Sequence, residues 1–204
     1  PFADIRDVQK RCDLHRDELG TLAELGAFAS LGLKRREAAW QVAALEAEGH
    51  GLLALLPEDG AKSPLEEMRA AERTAADLRG AGLTTGPHAV AHLRPALRKR
   101  GVLPAASLPK RRHGTRAACA GLVITRQRPG TARGMCFLTL EDESGLANVV
   151  ITPDVFEENR GLLVGAGALV VFGKLEIRDG VCNLMAERFE PLDPGPAPPS
   201  RDFH

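Results

Sequence analysis

A chain of 204 residues with 44% hydrophobic content can bury one good core or two small ones, and it has no apolar run long enough to span a bilayer. The four cysteines, Cys12, Cys119, Cys136 and Cys182, are too widely spaced for a disulfide framework and read as reduced thiols of a cytoplasmic protein, three of them on strands. Net charge is zero, yet residues 1–77 carry 10 Lys/Arg against 15 Asp/Glu, residues 78–140 carry 12 against none, and residues 141–204 carry 5 against 12, so the middle third attracts phosphate.

The first half reads helical. Ile5, Val8 and Cys12 recur at helical spacing, and Leu14, Leu19, Leu22 and Leu25 lead to a stop at Gly26 followed by Phe28. The pattern predicts a further helix from Leu33 to Glu48, ending at Gly49, with Trp40 in its core side, and then a polar loop from Pro57 to Ser63. Ser63-Pro64-Leu65-Glu66 has the form of a capped helix start, running to about Arg79. Thr85-Gly86-Pro87 opens another helix, which reaches Gly101 with a break at Pro95. A basic linker over 102–116 follows. The start Pro1-Phe2-Ala3-Asp4 shows neither an initiator Met nor a signal pattern and reads as lying inside a longer protein.

From Ala117 the period changes to two. Alternation predicts strands over Ala117–Thr125, Met135–Leu140, Ala147–Ile151, Ala168–Ile177 and Val181–Phe189, with a short helix over Pro153–Leu163 and turns at Asp142–Gly145 and Arg178–Gly180. Three strands, a helix and two strands is the order of an OB-fold barrel. The expected architecture is α+β: a helical module over 1–101, the linker, a five-stranded OB barrel over 117–190 and a flexible tail rich in Pro and Gly over 191–204.

OB barrels hold oligonucleotides on the second and third strands and in the loops joining strands one to two and four to five. Those places carry Arg126, Arg128 and Arg133 in the first loop, and Lys174 and Arg178 around the second, as candidate phosphate ligands. If Leu138 and Leu140 point into the barrel, Phe137 and Thr139 face outward, where Phe137 can stack on a base; the opposite register makes Phe137 core. Asn148 on the third strand offers a polar contact, and Lys110, Arg111 and Arg112 in the linker offer backbone contacts. His88 and His92 are spaced like a zinc pair but lack a following Glu or a third ligand, so no metal site is expected. No phosphate-binding loop or nucleophile elbow occurs, and no catalytic residue is expected in this stretch.

The run Phe137-Leu138-Thr139-Leu140-Glu141-Asp142-Glu143-Ser144-Gly145-Leu146-Ala147-Asn148-Val149-Val150, preceded by Gly121-Leu122-Val123 and Arg126-Gln127-Arg128-Pro129-Gly130-Thr131-Ala132, resembles the C-terminal OB domain of bacterial DNA polymerase III alpha subunits. The Arg126–Ala132 loop, Pro153-Asp154-Val155-Phe156 and the ending Ser200-Arg201-Asp202-Phe203-His204 resemble the error-prone, damage-inducible paralogue. Leu25 to Arg36 is similar to the end of that family's helix-hairpin-helix region, whose Gly-rich first hairpin is not found before Pro1, and Ala81 to His88 is similar to a later segment. The resemblance implies a parent translesion polymerase that acts with magnesium in a palm domain N-terminal to this stretch, together with a sliding clamp and accessory proteins of an SOS mutagenesis complex. It implies that the stretch itself holds no cofactor, is inactive alone and binds single-stranded template DNA. A docking platform for accessory proteins is the rival expectation, and a tRNA-anticodon-binding protein fits the barrel but not the helical half.

Overall fold

The computed structural model describes residues 1–47, 63–195 and 201–203. The loop expected over 57–62 and the helix end at Gly49 lie outside the described residues. The chain divides into two compact units, Pro1–Gly86 and Pro87–His204.

The first unit contains α1 (Ile5–Cys12), α2 (Arg16–Leu25), a 3₁₀ turn over Ala27–Leu31, α3 (Arg35–Ala47) and α4 (Ala70–Ala81). Helical spacing brings Ile5, Val8, Leu19, Ala23, Phe28, Ala38 and Val42 into one core. Trp40 is not part of it: α3 packs by Ala38 and Val42, which leaves the indole 39% exposed. The helix expected at Ser63 starts instead at Ala70. Ser63 Oγ accepts from Leu65 N–H at 3.2 Å in a local turn, whereas Arg69 N–H donates to Glu72 at 2.7 Å and so caps the true first turn. Asp77 joins α4 to its surroundings, accepting from Arg35 Nη1 at 2.6 Å and from the Thr84 hydroxyl at 2.6 Å. Burial works against its charged form, but Thr84 and Arg35 outweigh burial and hold the carboxyl below its usual range.

The second unit begins with a 3₁₀ turn over Ala89–Leu93, α5 (Arg94–Lys99, with Pro95 in its first turn) and a 3₁₀ turn over Ala105–Lys110. Residues 87–101 therefore belong with the barrel rather than with the helical module, and 102–110 is packed rather than a linker. Val90, Leu97 and Val102 pack on Ala118, Ala120, Leu122, Ala168 and Val170, while Ala105 and Leu108 join the barrel core. The strands are β1 (Arg116–Gln127), β2 (Cys136–Asp142), β3 (Gly145–Ile151), β4 (Ala168–Arg178) and β5 (Val181–Pro191), with α6 (Pro153–Glu158) and α7 (Arg160–Gly165) between β3 and β4. The OB order expected from alternation is the order found.

Closure depends on β1. Its first half pairs with β4 and its second with β2, and Leu122 pairs with both, opposite Ala168 and Glu141. β3 and β5 complete the ring in parallel, through Asn148–Asn183, Val149–Leu184 and Val150–Met185. Two glycines allow the backbones to come this close: a Cβ at Gly121 would lie 2.6 Å from the Glu141 carbonyl oxygen, and one at Gly173 would lie 2.0 Å from that of Met185. Gly173→Ala must therefore disrupt the β4–β5 ladder beside its bulge. Urea unfolding is expected to show a loss of at least about 3 kcal/mol.

Part of the tail expected to be flexible is a strand. β6 (Arg201–Phe203) pairs in parallel with Thr125–Gln127, where β1 has run past the end of β4 and its edge groups need partners.

The segment that covers β1 is latched to the β2–β3 turn. Arg94, 8% exposed, donates to Asp142 at 2.8 Å and to Glu143; Asp142, 3% exposed, also accepts from Ala105 N–H at 2.8 Å and from Ser144 N–H at 2.7 Å.

Cys12, Cys119, Cys136 and Cys182 are thiols, none of them in a disulfide. Burial, reinforced by the Asp142 carboxylate, pushes the Cys119 thiol up to about 12, and burial also raises Cys182. Iodoacetamide at pH 8 is expected to modify exposed Cys12 first and half-buried Cys182 slowly, and to reach buried Cys119 and Cys136 only after denaturation, as peptide mass spectrometry would read.

Candidate nucleic-acid interface

The outside of the barrel has two unlike halves. Over β1 and β4, residues 90–102 cover the small apolar residues of the wall. On the outer face of β2, β3 and β5, exposed Asn148 stands with half-buried Phe137, Asn183 and Met185, and strand register arranges the side chains in rows.

One row starts at Arg116 and passes through Lys174, Met185, Val150 and Phe137, returning to β1 at Gln127. Val150 is buried, Phe137 and Met185 are half-buried, and Lys174 is exposed. The apolar centre of this row can take the face of a base and its cationic end a phosphate. The next row outward is Glu176, Asn183, Asn148, Thr139 and Thr125. Beyond it lie Arg178 beside Val181, and Leu146 beside Glu141.

Directly inside the first row, Leu175, Leu184, Val149 and Leu138 are all buried, and this inner row ends at Arg126. Phe137 is therefore an outer-face residue. Arg126 is not: it pairs opposite Leu138, is half-buried and donates from Nη2 to the Ala166 carbonyl at 3.2 Å. A bulge between Val123 and Thr125 causes this, because one extra residue reverses which face each later side chain takes.

The other sequence candidates divide. Arg128 bonds Glu157 at 3.1 Å and lies 4.5 Å from the centre of the Phe156 ring, committed largely to α6. Arg133 is exposed in the left-handed region (φ 50°) at the opposite end of β2 from the Asp142 turn. Exposed Lys110, Arg111 and Arg112 lead into 113–115, which runs along β4: Ile177 N–H donates to His113 Nδ1 at 3.1 Å and Gly114 N–H to the Leu175 carbonyl at 2.7 Å. That places the basic run at the strand end carrying Lys174 and Arg178, the latter paired with Glu176 at 2.8 Å. Asn148 is exposed on the outer face. His88 is a cap, its Nδ1 accepting from Val90 N–H at 3.2 Å.

Sequence reasoning missed Arg116, Val150, Asn183 and Met185. They join the face through the β4–β1 and β3–β5 pairings between strands distant in sequence, and no local pattern announces those contacts.

The comparisons agree with the barrel fold. Residues 118–192 match the family described as OB-fold nucleic acid binding domain. The error-prone DNA polymerase of Burkholderia pseudomallei is 42% identical over 208 residues, covering 100% of this chain and 19% of that protein. That of Azoarcus sp. is 42% identical over 207 residues, with 100% and 19% covered, and that of Alkalilimnicola ehrlichii 42% over 211, with 100% and 20%. The chain spans about a fifth of the length of these curated relatives. Along its whole length it is thus similar to a C-terminal region of the bacterial error-prone DNA polymerases, and within that region it carries an OB-fold.

Proposed function

We propose that this chain is the DNA-handling end of an error-prone DNA polymerase and that its barrel holds single-stranded template on the β2–β3–β5 face. The observation that carries the reading is the row in which Phe137, Val150 and Met185 lie in register between Lys174 and Gln127 on the outer wall. Apolar and aromatic side chains accept base faces without regard to sequence, and the cations at one end take phosphates. Phosphoryl transfer belongs elsewhere in the parent protein, where magnesium would act. Translesion synthesis within an SOS-induced cytoplasmic complex, alongside a sliding clamp, is the setting this role fits.

Titration of the chain with fluorescent oligothymidylate at several salt concentrations tests the reading. Phe137→Ala is expected to weaken binding by about 1–3 kcal/mol, and Lys174→Ala to flatten the salt dependence by about one phosphate contact. Absence of binding at low salt would sink the proposal. It would turn attention to a docking role for accessory proteins, which is favoured by Leu146 and Val181, 63% and 50% exposed beside the two hairpin turns.

A further inference from the structure

The row next to the proposed stacking row has a different chemistry. Asn148 and Asn183 are direct cross-strand partners on β3 and β5, Thr139 continues the row on β2, and Thr125 follows on β1. Asn148 is exposed and Asn183 half-buried, and among the described residues neither carboxamide has a hydrogen-bond or ion-pair partner. Asparagine is disfavoured in strand interiors, so two of them side by side, unused by the fold, call for an explanation outside the fold.

We infer that Asn148 and Asn183 form a paired-amide reader of base edges, so that the face senses which bases it holds; the inference rests on the single-strand reading above. A phosphate offers only acceptors and is served by Lys174, Arg116 and the 110–112 run. A base edge sets donors beside acceptors, which a carboxamide matches with its own oxygen and NH₂ group. Neighbouring strands lie about 4.8 Å apart, so the two amides stand together and can address one edge or two adjacent ones. Alternate residues along a strand are about 7 Å apart, a separation comparable with the breadth of a nucleobase. A base lying on Phe137 or Met185 therefore extends its edge toward the amide row. Glu176 at the end of that row makes it a poor place for a phosphate. Adenine, whose amino group and adjacent ring nitrogen pair bidentately with asparagine, is the base most favoured.

The test is anisotropy titration of the whole chain with labelled dodecamers of deoxyadenylate, deoxycytidylate and thymidylate and with an abasic dodecamer. The wild-type protein, Asn148→Ala, Asn183→Ala, Asn183→Thr and Phe137→Ala are compared at two salt concentrations. The asparagine variants are expected to lose about fivefold or more on the tightest-bound homopolymer, to compress the spread among the three and to leave both abasic binding and salt dependence unchanged. Phe137→Ala is expected to weaken all three alike. Asn183→Thr keeps a branched polar side chain on the strand, so its result stands if the alanine variant folds poorly. Unchanged homopolymer ratios in the asparagine variants, or equal weakening on the abasic strand, overturn the inference while the single-strand reading survives. Failure of the wild-type chain to bind any of the four strands overturns both.

Discussion

A chain shortened to begin at Arg116, which keeps all five barrel strands, is expected not to fold, whereas one beginning at Pro87 is expected to melt cooperatively. The five strands alone would expose the wall formed by Ala118, Ala120, Leu122, Ala168 and Val170, and would lose Val90, Leu97 and Val102 from above it. Complete burial of an aliphatic side chain contributes about 1.5–3 kcal/mol, so these three alone represent roughly 5–9 kcal/mol. That is comparable with the whole stability of a small domain, about 5–15 kcal/mol. The shorter chain would also lack Ala105 and Leu108, which close the main core. Far-UV circular dichroism and urea titration of the two chains decide the matter. A cooperative transition in the shorter one would show that the covering segment is dispensable.

Asp142→Ala is expected to cost about 3–5 kcal/mol, although the residue sits in a hairpin turn where substitutions are usually mild. The turn is a junction: the carboxylate accepts from Arg94, from Ala105 N–H and from Ser144, and is 3% exposed. Removing it leaves the Arg94 guanidinium in a buried position with only Glu143 as its anion. Urea midpoints of Asp142→Ala, Arg94→Met and the double variant form the appropriate cycle. The double variant is expected to be less damaged than the sum of the singles, since neither charge is then left behind.

The barrel was legible because its strands alternate cleanly. Leu138 and Leu140 go in, Phe137 and Thr139 go out, and Asp142–Gly145 turns. The covering segment was not legible. Its buried residues are scattered singly among prolines and arginines, and they meet a wall of alanines whose small size reads as weak strand rather than as a seat for a helix. The face that Arg126 takes was not legible, because a bulge leaves no mark in composition yet reverses the face of every residue after it. The acid-free block from 78 to 140 was read as uniformly available charge. Arg94 is instead sealed in the latch, Arg100 is held by Glu190, Arg116 by Glu187 and Arg128 by Glu157, while Arg98, Lys99, Lys110, Arg111, Arg112 and Arg133 stay exposed. The amide row was invisible for a further reason: Asn148 and Asn183 meet only because β3 and β5 run parallel, a pairing without a turn between them.

The strand on which closure depends also governs how copies of this protein behave in a crowded solution. Leu122 bonds in both directions, so β4 and β2 lie on opposite edges of β1. The lengths they leave uncovered are met elsewhere: Leu103 bridges to Cys119 opposite β4, and Arg201–Phe203 pairs with Thr125–Gln127 opposite β2. Each flank of the longest strand is thereby met in part by the chain's own backbone. Along those stretches of β1 a neighbouring molecule meets amides that are already engaged, which disfavours sheet growth from this strand.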